Sequence, residues 1–293
     1  MSRSGFVALA GRPNAGKSTL VNRIVGEQVA IVSDKPQTTR RAIRGVLTTP
    51  DYQLVLTDLP GVQRPRDALT ESMQRQVERA LGDADAALFV LNGEQAIGPG
   101  DRFIADVLKR AAVPAVTVLN KIDRLDRART LRALSDAAEL GVQGELFPIS
   151  AKNGAGVGPL VEELVSLVPE GPFMYPPGER SDQSLELQLA ELIREQVLLR
   201  TREELPHAVE VEIDELEERD DGLLVVRARV WAETESQKGI LVGAGGRMVR
   251  AVGTAARREI ERLLDRRVHL DLHVRVRRGW RRDEGLLDRL GIE

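Results

Sequence analysis

The chain has 293 residues, long enough for one large domain or two ordinary ones, each with its own core. At 42% hydrophobic and 30% charged it reads as a soluble, globular, cytoplasmic protein: no run nears the roughly 18 apolar residues that span a bilayer, and the N-terminus lacks a signal-peptide layout. It has no cysteine, which excludes disulfides and thiolate metal sites. The net charge of −3 hides an asymmetry, because residues 227–293 hold 16 Lys and Arg against 10 Asp and Glu. A basic C-terminal part on an acidic N-terminal one suggests a polyanion partner, or else a merely solvated basic face. Only six of 42 basic residues are lysines (Lys17, Lys35, Lys109, Lys121, Lys152 and Lys238), so each is a candidate for work that needs a compact charge on a slim stem.

From residue 5 to about 168, short apolar runs alternate with amphipathic stretches, as in a mostly parallel sheet covered by helices. The predicted strands are Phe6–Ala10, Leu54–Thr57, Ala86–Leu91, Ala115–Leu119 and Leu146–Ile149. The helices are Lys17–Val25, Leu69–Leu81, Asp101–Arg110, Thr130–Gly141 and Val157–Leu167. Pro169–Gly178 is rich in Pro and Gly and reads as a linker. Beyond it come a helix Ser184–Glu204 with a stripe at Leu185, Leu189, Leu192 and Leu199, strands Ala208–Leu216 and Leu223–Ala232, and a short helix Gln237–Leu241. A Gly-rich loop, a helix Met248–Leu264 and a strand Val268–Arg277 follow. The division is residues 1–170, a linker 171–183, and residues 184–293.

Gly11-Arg12-Pro13-Asn14-Ala15-Gly16-Lys17-Ser18, with Thr19 behind it, is G-x-x-x-x-G-K-[ST] between a predicted strand and a predicted helix. Its backbone N–H groups would wrap phosphates, Lys17 would reach the β- and γ-phosphates, and the Ser18 hydroxyl would ligate Mg²⁺. Asp58-Leu59-Pro60-Gly61 ends a strand where its carboxylate can hold Mg²⁺ through water and the Gly61 N–H can sense a γ-phosphate. Asn120-Lys121-Ile122-Asp123 selects the base: an Asp carboxylate accepts from N1–H and the 2-amino group of guanine, and adenine would leave it unpaired. Lys121 can lay its stem along the base, and Ser150-Ala151-Lys152 can offer an N–H to the guanine O6. Between the first two motifs, Val32–Arg44 contains Gln37-Thr38-Thr39-Arg40-Arg41, where a Thr hydroxyl can complete the Mg²⁺ shell only when a γ-phosphate is present. Val62 stands where many GTPases orient water with Gln, so GTP hydrolysis should be slow. A metabolic P-loop kinase would have no task for Asn120–Asp123.

In the basic part, Gly243-Ala244-Gly245-Gly246 between two helices fits a G-x-x-G loop that clamps single-stranded RNA. Arg275-Val276-Arg277-Arg278-Gly279-Trp280-Arg281-Arg282 can grip phosphates and stack a base, can bind an anionic membrane surface, or can be a plain solvated strand end. His269 and His273, four positions apart on a strand, cannot share one metal ion.

Together with Ser236-Gln237-Lys238-Gly239, these motifs resemble the bacterial Era GTPase family over essentially the whole chain. The resemblance implies a Ras-like α/β GTPase domain followed by an α+β type II KH domain. It implies GTP or GDP with Mg²⁺, Thr39 as the switch threonine, and K⁺ beside Asn14, which can otherwise be a local hydrogen-bonder. It further implies a monomer that binds the 3′ end of 16S ribosomal RNA during 30S assembly, with some association with the cytoplasmic face of the inner membrane. The RNA would meet Lys238, Gly239, Gly243–Gly246, Arg247, Arg275, Arg277, Arg278, Trp280 and Arg281. Two residues depart from the family pattern: Leu59 where Thr is common, and Ala244 where Lys is common, which Arg247 can offset. A C-terminal module that binds protein or membrane instead of RNA is the alternative.

Overall fold

The computed structural model describes residues 2–35, 37–62, 67–111, 113–201 and 205–292. The first module alternates β1 (Arg3–Ala10), α1 (Lys17–Val25), β2 (Ile43–Thr48), β3 (Tyr52–Asp58), α2 (Ala68–Gly82), β4 (Ala86–Asn92), α3 (Pro99–Ala111), β5 (Ala115–Asn120), α4 (Arg127–Ala138), β6 (Leu146–Pro148) and α5 (Val157–Leu167). The sheet order is β2-β3-β1-β4-β5-β6, with only β2 antiparallel. The continuous apolar runs of β1, β3, β4 and β5 follow from this layering. Leu9, Leu54, Leu88 and Val118 are sealed beneath α1 and α5 on one face, and Ala10, Phe89 and Leu119 beneath α2, α3 and α4 on the other.

Strand β2 is the element the periodicity misses. Ile43-Arg44-Gly45-Val46 does not alternate cleanly, because Gly45 sits where a Cβ would press on Val21 and Val25 of α1. Its outer edge is covered: the Val46 N–H donates to the Arg180 carbonyl (2.8 Å), and Gly45 bridges Ser181. The buried Gln53 side chain donates to the Tyr175 carbonyl (2.9 Å) and accepts from the Met174 and Tyr175 N–H groups (2.8 and 3.0 Å). The linker is thus strapped along the first module.

The second module contains α6 (Leu185–Arg200), α7 (Leu205–Ala208), β7 (Glu210–Glu218), β8 (Leu224–Ala232), α8 (Glu235–Val242), α9 (Arg247–Leu264), β9 (Val268–Val276) and α10 (Glu284–Arg289). Its sheet runs β7-β8-β9, antiparallel then parallel, with a bulge between Ile213 and Glu215. The expected helix to Glu204 ends at Arg200, and residues 202–204 lie outside the described set. Leu189 and Ile193 fill the core, but Leu199 is 57% exposed and leaves the expected stripe. Helix α6 also buries Glu191, Arg194, Glu195 and Gln196, because it is sandwiched between the two modules. The C-terminal segment returns to the first module, where Trp280, Leu286, Leu287 and Ile292 cluster with Leu69 and Met73 of α2.

Candidate functional site

The loop between β1 and α1 is held open by geometry that side chains would spoil. A Cβ on Gly11 would lie 2.5 Å from the Val90 carbonyl oxygen, and Gly16 has φ 95. Lys17 folds back over the loop, its Nζ donating to the carbonyls of Gly11 (3.0 Å) and Arg12 (3.2 Å). Arg12 turns outward to Asp101 (3.0 Å). Asn14, in the left-handed region at φ 62, donates to the Asp34 carbonyl (2.6 Å) and so ties the loop to the segment at residues 32–41.

Ser18, Thr39 and Asp58 come from three separate elements and meet. The Ser18 and Thr39 hydroxyls donate to Asp58 Oδ2 (2.6 and 3.1 Å), and the two hydroxyl oxygens are 3.1 Å apart. Asp58 is fully buried, and its Oδ1 has no hydrogen-bond partner among the described residues. Burial pushes the Asp58 carboxyl up and the Lys17 amine down, each partly offset by the other's charge. An anionic phosphate and a divalent cation would relieve both, so this donor set suits Mg²⁺ and a nucleotide. Gly61 approaches so closely that a Cβ would sit 2.7 Å from the Pro13 ring. The neighbouring Leu59, Pro60 and Val62 are buried and offer no polar side chain.

Asn120 is a brace. Its Nδ2 donates to the Ala15 carbonyl (2.9 Å), and its Oδ1 accepts from the N–H groups of Lys121 (2.8 Å) and Ala151 (2.9 Å). Three loops are thereby joined by one buried amide. Ser150 Oγ donates to Asp123 Oδ1 (2.6 Å), orienting an otherwise exposed carboxylate, while Ile122 N–H anchors to the Ile149 carbonyl (3.2 Å). Asn14, Lys17, Ser18, Thr39, Gly61 and Lys121 line one cavity of about 390 Å³. The motifs did not point to two supporting residues. Glu94 pairs with Lys121 (3.3 Å) and Arg124 (3.0 Å), and Arg23 donates to the carbonyls of Ala151 (3.1 Å) and Lys152.

In the second module, Gly243, Gly245 and Gly246 have φ 70, 59 and 78, which explains the glycines. Ala244, Gly245 and Arg247 are exposed at the loop tip, and Lys238 lies one turn back on α8 beside Gly239, paired with Glu235 (3.8 Å). Beside the loop, Arg250, Thr254 and Arg257 of α9 and His269 and Leu272 of β9 line a groove of about 310 Å³. Arg250, Thr254, Arg257 and Leu272 belong to none of the motifs. An arginine recurring along one helix face after the loop was the available signal.

The expectation for Trp280 is corrected. It is fully buried, its Nε1–H donates to the Ala208 carbonyl (3.0 Å), and Arg40 stacks 5.4 Å from its ring centre, so it cannot stack a base. Arg281 pairs with Asp67 at the start of α2 (2.7 Å) and is drawn toward the first module. Arg277 pairs with Asp283, while Arg275 and Arg278 stay exposed. The cause is α10, whose apolar face draws the whole tail onto α2.

The family described as "50S ribosome-binding GTPase" matches residues 6–121, and the KH domain family matches residues 204–281. The GTPase Era of Halothermothrix orenii is 42% identical over 291 residues, covering 99% of each chain. That of Mycobacterium avium is 45% identical over 297 residues, again covering 99% of each. A crystal structure of Era with MgGDPNP and nucleotides 1506–1542 of 16S ribosomal RNA superposes with a TM-score of 0.96 at 34% identity, covering 100% of this chain and 99% of that one. An Aquifex aeolicus Era variant bound to GDP and AlF4⁻ gives 0.95 at 33%, covering 99% of each. Likeness at this level, along the full length and in both modules, means that the chain belongs to the Era family of GTPases and hydrolyses GTP.

Proposed function

We propose that this protein is a slow GTP-hydrolysing switch whose second module binds the 3′ end of 16S ribosomal RNA and assists assembly of the 30S subunit. The observation that carries the switch is the meeting of the Ser18, Thr39 and Asp58 oxygens, because it brings hydroxyls from two separate segments onto one buried carboxylate beside the phosphate-binding loop. The RNA reading is supported by the open Gly243–Gly246 loop and by the relative of the same fold that carries 16S nucleotides. The working division is residues 1–170 for the GTPase domain, 171–183 for the linker and 184–293 for the RNA-binding domain.

In this reading Lys17 leaves the Gly11 and Arg12 carbonyls to hold β- and γ-phosphate oxygens, and α1 presents its N-terminal amides to them. Ser18, Thr39 and Asp58 would hold Mg²⁺, which would supply the positive charge that offsets charge developing on the phosphates. Gly61 N–H reports the γ-phosphate, Asp123 reads the guanine edge, and a backbone N–H of the segment 150–152 meets O6. The Val62 side chain cannot orient water, which sets unassisted turnover on the order of 10⁻⁴–10⁻² s⁻¹. Asn14, whose Nδ2 donates to the Asp34 carbonyl, would offer its Oδ1 to K⁺ at the edge of the phosphate site. Among the described residues no helix is long and apolar enough to cross a membrane, so the contact with the cytoplasmic face of the membrane would be peripheral. The protein would otherwise work as a cytoplasmic monomer.

The deciding experiment is a paired titration of a single-stranded 16S 3′-end oligonucleotide against the GTP-analogue and GDP states, over a range of salt. Tighter, salt-sensitive binding in one nucleotide state is expected. Binding that ignores both nucleotide and salt would sink the reading.

A further inference from the structure

Five charged side chains from three parts of the chain meet beside Thr39, and their side chains are at most 5% exposed. Glu210 of β7 accepts from Arg40 (2.8 Å) and Arg41 (3.1 Å), and Glu191 of α6 accepts from Arg41 (2.6 Å) and Arg194 (2.6 Å). Arg194 donates to the Thr38 carbonyl, and Arg40 also donates to the Val209 (2.6 Å) and Pro206 (3.1 Å) carbonyls. At the start of the segment, Glu195 accepts from the Val32 N–H (2.9 Å). The residues on either side of Thr39 are therefore gripped by the second module while its hydroxyl touches Ser18 and Asp58.

A buried charge that loses its partner is strongly destabilising. Arg40 and Arg41 therefore have to stay docked or leave together, and Thr39, one bond away, goes with them. Docking of the arginines and placement of Thr39 are two readouts of one two-state element. Coupling of this kind is reciprocal: whatever holds the arginines favours any ligand that needs Thr39 in place.

We propose that Glu210 and Arg194 are positioning residues for the triphosphate state, so that the RNA-binding module raises the preference of the first module for GTP over GDP. This rests on the reading of Thr39 as the residue that completes the Mg²⁺ shell.

The test is equilibrium binding of MgGDPNP and of GDP to the full chain carrying Glu210→Gln. The expected result is a loss of about tenfold for GDPNP, inside the usual 5–150-fold range of coupling, with GDP changed by less than about twofold. Amide exchange at residues 38–41 should also rise in the GDPNP complex. Equal losses for both nucleotides would mark a merely structural role and overturn the proposal, as would no loss for either. Should Glu210→Gln not fold, Arg194→Met, which frees the Thr38 carbonyl while Glu191 keeps Arg41 as its partner, must show the same selective loss. Thr39→Ala separates the two readings. A selective loss there with none in the cluster variants overturns the proposal alone, whereas an unchanged GDPNP preference in Thr39→Ala removes the Thr39 reading and the proposal with it.

Discussion

The nucleotide site and the RNA-facing loop are built on opposite plans. Around the nucleotide, most polar side chains are already engaged: Asn120 braces three loops, Ser150 orients Asp123, and Ser18 and Thr39 converge on Asp58. Around Gly243–Gly246 the backbone bends in the open, and Ala244 and Arg247 face solvent. A site of braced, largely buried groups discriminates sharply, because a wrong ligand leaves polar atoms unpaired. A surface of exposed cations gains affinity in small, salt-dependent steps. Changes at the first site should be large and specific, and changes at the second small and additive.

Asp123→Ala should break the guanine site most severely. The preference for GTP over ATP should fall by roughly 10⁴, the discrimination that a paired polar edge can supply. Competition binding with both nucleotides checks it, and a retained preference would place base recognition elsewhere. Trp280→Ala comes next, and it acts on stability: a loss of about 3–5 kcal/mol is expected for a buried Trp, read from denaturant unfolding. The salt slope of RNA binding should stay unchanged, and a flattened slope would restore the tail to the RNA interface. Asn120→Ala leaves the Ala15 carbonyl and the Ala151 N–H without their partner, at about 1–3 kcal/mol each. Weaker binding of GDP and GTP alike should follow, with guanine still preferred. The smallest effect belongs to the open loop. Ala244→Lys should tighten RNA binding and steepen its salt dependence by roughly one counterion. An unchanged slope in filter binding would show that residue 244 lies off the phosphate path.

The same contrast explains what could be read in the chain. Residues 11–18, 58–61, 120–123 and 150–152 were legible because each motif sits at a strand end, where local sequence dictates local geometry. The alternation of β1, α1, β4 and α5 was legible because continuous apolar runs differ from amphipathic ones. Strand β2 was not, since Gly45 serves α1 packing and interrupts the pattern. Asn14 and Thr39 line the same cavity, but the partners of Arg40 and Arg41 lie about 150–170 positions away along the chain. No local pattern announces Glu191 or Glu210 as their counterions. Trp280 misled for the same reason. Flanked by arginines it resembles a nucleic-acid contact, and only α10 and the distant α2 reveal it as core.

The strap along β2 shortens the leash between the modules. Met174, Tyr175, Arg180 and Ser181 are all fastened to the first sheet, so little slack is left before α6 begins at Leu185. The second module cannot swing as if tethered by thirteen free residues; a hinge in the linker would be confined to the stretch around Gln183 and Ser184. Extra glycines inserted at Gly171 would lengthen a segment that carries no swing, whereas the same insertion between Gln183 and Ser184 would move the axle itself.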